Sequence, residues 1–96
     1  MKPWYLQGYL FLGELYAYIG KNERALENLR MIEAEFKEMG MNYWLGRTHA
    51  VYADLYRRED ESSKAKENLS RAIEILKECG AYGWVEKYEK ELASIS

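Results

Sequence analysis

Apolar residues recur at spacings of three and four along most of the chain, and the recurrence breaks at regular places. Leu12, Leu15, Tyr16 and Ile19 form one stripe, and Ala25, Leu29, Ile32 and Phe36 form the next. Further on, Tyr52, Leu55 and Tyr56 answer Ala65, Leu69, Ala72, Ile73 and Leu76. Such spacing gathers side chains on one face of an α-helix, so each stripe predicts an amphipathic helix of about 16 residues. Gly20, Gly40 and Gly80 stand where a left-handed residue would end a helix, and Asn22 and Ser62 are placed to cap the helices that follow. From about Tyr82 to Ala93, Glu86 precedes Lys90 by four residues, a spacing that supports a terminal helix. The single proline lies at the N-terminal edge and no run of β-branched residues alternates, so a sheet is not expected.

The pattern also repeats as a whole. Trp4, Trp44 and Trp84 stand at steps of 40 residues. The same offset pairs Leu15 with Leu55 and Ile95, Tyr16 with Tyr56, Ala25 with Ala65, Gly40 with Gly80, and Gly13 with Ala53 and Ala93. It also aligns Glu27-Asn28-Leu29 with Glu67-Asn68-Leu69 and Lys37-Glu38 with Lys77-Glu78. One domain of two helical hairpins, 1–40 and 41–80, and the opening helix of a further unit, 81–96, follows from this register. The fold class is therefore all-α, with five helices in antiparallel succession.

These residues resemble the tetratricopeptide repeat. That family's first helix carries a large residue, then Leu, Gly or Ala, and Tyr, with Gly at the turn and small residues in the second helix. The first unit offers Tyr9, Leu12, Gly13, Tyr16, Gly20, Ala25, Leu29 and Ile32; the second offers His49, Tyr52, Ala53, Tyr56, Asp60, Ala65, Leu69 and Ala72. Asp60 replaces the turn glycine, His49 takes an aromatic position, and the period is 40 where 34 is usual. Longer repeats of this kind are similar to those in sensory and scaffolding regions of large bacterial or archaeal regulators, and the ending from Cys79 to Tyr88 is similar to the close of such arrays. The resemblance implies a right-handed solenoid whose first helices line a concave, partner-binding face.

The small residues have a physical reason of their own. Gly13 and Ala53 sit where the first helix of a hairpin must approach the second, and Ala25 and Ala65 are expected to meet them, at an interhelix distance near the low end of about 8–10 Å. Tyr16 and Tyr56 would fill the space beside each small pair, and neighbouring hairpins would cover one another's remaining apolar faces.

Composition narrows the function. Ninety-six residues, 48% hydrophobic and 31% charged, describe one small globular domain. A formal net charge of −2 offers no general attraction to polyanions, so nucleic acid is not the expected partner, and a patch of Arg47, Arg57 and Arg58 is small against that balance. No apolar run approaches the roughly 20 residues that span a bilayer, and the N-terminus lacks a signal-peptide core, so a cytoplasmic, membrane-independent protein is expected. One cysteine, Cys79, and one histidine, His49, make no metal cluster, and no cofactor motif is present. Phosphate loops, Cys-x-x-Cys, His-Glu-x-x-His and Gly-x-Ser-x-Gly are all missing, so catalysis is not expected. His49 reads as a packing substitute for the aromatic repeat residue, and Cys79, aligned with Met39, as a partly buried residue at a helix end. Tryptophans at the repeat spacing read as core or inter-repeat packing.

A binding module or scaffold remains. The stripe facing away from each second helix comprises Gln7, Phe11, Glu14 and Tyr18 in the first unit and Arg47, Val51, Asp54 and Arg58 in the second, and the terminal helix adds Lys87 and Glu91. Read as a groove, it has an apolar floor at Phe11 and Val51 and basic fixing points at Arg47 and Arg58, suited to a carboxylate, with Asp54 between the two arginines expected to hold one of them in place. The expected partner is another protein or a peptide segment. The alternative is self-association, a homodimer through an N-terminal hairpin that leaves Trp4, Tyr5, Leu6 and Leu10 without a preceding repeat.

Overall fold

Residues 4–95, which the computed structural model describes, form α1 (Trp4–Tyr18), α2 (Asn22–Met39), α3 (Asn42–Arg58), α4 (Ser62–Glu78) and α5 (Tyr82–Ser94). Consecutive helices pack antiparallel as a helical repeat, with no strand among the described residues. Among the described residues no helix is long and apolar enough to cross a membrane.

One turn design serves all four connections. Gly20 N donates to Ala17 O and Lys21 N to Tyr16 O, and the same two bonds recur from Gly40 and Met41, from Asp60 and Glu61, and from Gly80 and Ala81. This closure satisfies carbonyls orphaned at a helix end and needs one residue in the left-handed region. Three glycines take it at φ 69–84°, and Asp60 takes it at φ 60°. Aspartate is among the few L-residues whose short polar side chain tolerates that conformation, so the second unit keeps the turn without glycine. The next residue already caps the following helix, which moves the caps one position ahead of expectation: Lys21 and Glu61 occupy them, without side-chain cap bonds. Asn22 instead donates from Nδ2 to Glu59 Oε2 at 2.9 Å, tying two turns together.

Two apolar clusters share α3. The first joins Leu6, Leu10 and Ala17 of α1 with Leu29, Ile32 and Phe36 of α2 and with Val51, Tyr52 and Leu55 of α3. The second joins Ala53, Leu69, Ile73 and Leu76 with Val85 and Tyr88 of α5. Trp44 and Trp84 pack half-buried against these clusters, while the Trp4 side chain lies outside the described part of the chain. Several expectations change. Leu6 and Leu10 are buried and offer no open surface. Leu15 and Ile19 are not core residues but half-exposed, since no described helix packs over that side of α1. A Cβ on Gly13 would meet Leu29 Cδ2 at 3.3 Å and Asn28, so its close neighbour is Leu29 and not Ala25. Cys79 is exposed, since it follows the last turn of α4.

A polar link ties the hairpins together across the core. The Tyr52 hydroxyl donates to Glu33 Oε1 of α2 at 2.9 Å, and Lys37 stands 3.4 Å from the other carboxylate oxygen. His49 packs its ring 5.8 Å from Tyr52, as an aromatic substitute would, but its nitrogens are also engaged. Nε2 lies 3.6 Å from Glu33 Oε2, and Nδ1 lies 3.0 Å from Asn68 Oδ1 of α4. Asn68 donates its Nδ2 to Lys64 O, which turns Oδ1 toward the ring and makes Nδ1 the donor.

Burial, and then the bond to Glu33, hold the Tyr52 phenol well above its ordinary value, and burial raises Tyr88 in the same direction. The consequence for stability has a definite sign. Below the ordinary tyrosine pKa of about 10 both states keep the proton and the stabilisation is complete. Above it the unfolded chain loses protons that the folded chain retains, so stability falls as pH rises. Urea midpoints should therefore decline between about pH 9 and about pH 11, and Tyr52→Phe should flatten that decline while lowering neutral-pH stability by roughly 0.5–1.5 kcal/mol for the lost bond. An equally steep decline in the phenylalanine variant would remove Tyr52 as its cause.

Candidate binding groove

The antiparallel stack leaves the first helices of each unit side by side, and their exposed sides enclose a cleft of about 540 Å³. Phe11, Glu14, Leu15 and Tyr18 of α1 form one wall. The floor is α3, from Arg47 to Arg58, and the other wall is Trp84, Lys87, Tyr88 and Glu91 of α5. Every residue expected on the concave face lines this cleft except Gln7, which is half-buried outside it. Val51 differs in kind: it is 6% exposed and belongs to the first core cluster, so it contributes only an edge to the floor. Its position in α3 faces the first hairpin, which covers it. Phe11, the equivalent residue of α1, is 58% exposed.

The charged residues are held in different ways. Arg58 donates from Nε to Asp54 Oδ2 at 2.9 Å, one helical turn back, and its guanidinium lies 5.1 Å from the Tyr18 ring. That pair engages one N–H of Arg58 and offsets part of its charge, so Arg58 is a less free fixing point than Arg47. Arg47 is stacked 3.8 Å over the Trp84 ring and donates to the Tyr43 hydroxyl at 3.0 Å. The indole thus fixes the guanidinium plane at the groove floor without neutralising it. Lys87 lies 5.1 Å from the same indole and 5.9 Å from Tyr88. Among the described residues neither Arg47, Arg57 nor Lys87 forms an ion pair, and neither do Glu14 and Glu91.

The cleft therefore presents aromatic area with separated charges of both signs. Arg47, Arg57 and Arg58, the three arginines of a possible nucleic-acid patch, and Lys87 share it with Glu14, Asp54 and Glu91, which offset most of the field such a patch would need. Sequence reasoning missed Trp84 and Tyr88 as groove residues because it read the repeat tryptophans as packing; both do pack on the second cluster, and both also line the cleft. The available signal was the pairing of Arg47 with an aromatic 37 residues later, which only the stacked fold brings together. Among the described residues no group of histidine, cysteine and acidic side chains could hold a metal ion. The chain matches no family model, no curated protein and no solved structure.

Proposed function

We propose that this chain is a protein-interaction module, a tetratricopeptide-like repeat working within a larger cytoplasmic regulatory protein, and that its groove takes a short peptide segment. The observation that carries this reading is the cleft itself: about 540 Å³, walled by Phe11, Tyr18 and Trp84, with Arg47 pre-oriented on an indole and unpaired. That volume falls in the ordinary range for ligand sites, and a preformed guanidinium loses little freedom on meeting a carboxylate. The preferred segment carries a carboxylate at Arg47 and Lys87, a basic residue facing Glu14 or Glu91, and an apolar side chain against Phe11. The close, Schellman-type turns and the recurring small residues support the family reading; they do not select among partners.

A displayed library of random peptides, selected on the intact 96-residue chain, tests this. Selection should enrich sequences with an acidic residue, and their affinity should lie in roughly the micromolar range open to one short groove. Arg47→Ala with Lys87→Ala should weaken the enriched peptides by about tenfold or more, as loss of charge-assisted bonds implies, with an unchanged thermal melt. Full binding by the folded double variant would move recognition off this face.

A further inference from the structure

The repeat register identifies a second surface by comparing equivalent residues. Thr48, Val51 and Leu55 of α3 are buried, at 0%, 6% and 0% exposure, and Val51 and Leu55 pack in the cluster built with the preceding hairpin. Their equivalents in α1 are Gly8, Phe11 and Leu15; Gly8 is exposed, and Phe11 and Leu15 are 58% and 53% exposed. With Tyr18 at 69% and Ile19 at 52% they make an apolar stripe along the open side of α1. Glu14 is the single charged residue of that helix. A helix apolar on all sides is normally covered on all sides.

The other end of the stack cannot supply the cover. Helix α5 turns Glu86, Glu89 and Lys90 outward, where they pair with one another's neighbours at the surface, Lys90 with Glu86 and Lys77 with Glu89. Glu86 also stands at the position of Gly46, the point where α3 is approached by its own second helix. The outer face of α5 is thus mainly charged, with Tyr82 its one exposed large apolar residue, and a head-to-tail polymer would press those charges onto apolar surface.

The stripe is instead complementary to itself. Gly8, Phe11, Leu15 and Tyr18 follow the three-four spacing of a two-heptad seam. When two such helices run antiparallel about a two-fold axis at residue 13, Phe11 of each copy meets Leu15 of the other. Gly8 then faces the other copy's Tyr18, smallest against largest. A Cβ on Gly8 would touch nothing within 4 Å in the single chain, so the glycine answers no need of the monomer's own packing. We infer that two copies of this chain form a two-fold dimer through antiparallel α1 helices, with the Gly8–Phe11–Leu15–Tyr18 stripe as the seam. The seam shares Phe11, Leu15 and Tyr18 with one wall of the groove, while Gly8 lies outside it, so a second copy and a bound peptide compete for that wall.

Light scattering on the 96-residue chain at rising concentration tests it. The mass should climb from 11.4 kDa to twice that value and stop. Leu15→Glu, at a half-exposed position, should return the mass to one chain while the circular-dichroism melt of dilute protein persists. Gly8→Leu separates the interface from the fold: at the exposed helix position it should raise the melting temperature of the dilute monomer, yet weaken dimerisation by tenfold or more by filling the space for Tyr18. A mass fixed at 11.4 kDa across the range would overturn the dimer and leave the stripe to a hairpin in a longer parent chain. Growth past two copies, or an unchanged dimerisation constant in both variants, would overturn it equally.

Discussion

Phe36→Ala is expected to lower the unfolding free energy by roughly 3–5 kcal/mol, the largest effect of any single truncation in this chain. Phe36 is the largest fully buried side chain and lies in the cluster that joins α1 and α2 to α3. Truncation removes the ring's transfer free energy and leaves a void that helices already at close approach cannot refill. Domains of this size hold only about 5–15 kcal/mol in total, and two and a half repeats belong near the low end, so the variant should be largely unfolded near body temperature. The loss should not stay in the first hairpin. Val51 and Leu55 of α3 lose their cover when α1 and α2 melt, and α3 also supplies Ala53 to the second cluster. Urea unfolding followed by far-ultraviolet circular dichroism should therefore show one transition at a much lower midpoint. A second, wild-type-like transition would mean that the hairpins unfold independently.

What could be read from sequence depended on whether a residue's role is set within its own helix or by its neighbours. Helix number and bounds were legible because turn glycines at a 40-residue step impose them locally, and even Asp60 fits once its left-handed conformation is recognised. The groove was legible as a face, since helical spacing puts Phe11, Glu14 and Tyr18 on one side of α1 and Arg47, Asp54 and Arg58 on one side of α3. Its chemistry was legible only in part: Asp54, one helical turn from Arg58, is readable as holding one arginine, but whether Arg47 is held depends on Trp84, a contact between helices distant in the chain. The repeat register misled wherever it was taken to equalise burial. Leu15 and Leu55 are equivalent by position, yet one is 53% exposed and the other 0%, because the first hairpin packs over Leu55 and no described helix packs over Leu15 in the same way. The same difference leaves Phe11 exposed and Val51 in the core, and it is also what exposes the seam proposed for a dimer.

Gly46→Ala is expected to destabilise the chain by about 1–2 kcal/mol, even though alanine is the better helix former by up to about 1 kcal/mol. The periodic small residues gave no hint of this position, since Gly46 aligns with Leu6 and Glu86. In the fold it is the glycine with the least room, set against α4: a Cβ there would stand 2.7 Å from Leu76 Cγ, 2.9 Å from its Cδ2 and 3.4 Å from Ile75 Cγ2. The obstruction is a branch carbon of a fully buried leucine, not the free end of a flexible chain, so relief requires the helices to separate. Overpacking of this kind typically costs about 1–3 kcal/mol, which exceeds the gain in helix propensity. Gly13 meets Leu29 Cδ2 at 3.3 Å, a terminal methyl that can give way, so Gly13→Ala should be close to neutral. In dilute monomer, Gly8→Ala meets nothing and should stabilise by up to about 1 kcal/mol. The three alanine variants thus rank by the space each glycine faces, although their intrinsic helix propensities are the same. The contact can be isolated with Leu76→Ala, which alone should cost about 2–5 kcal/mol but should make Gly46→Ala favourable when the two are combined. Urea midpoints for the full double-mutant cycle measure the coupling. Additive effects at positions 46 and 76 would mean that these side chains do not meet, and that α3 and α4 owe their close packing to some other pair.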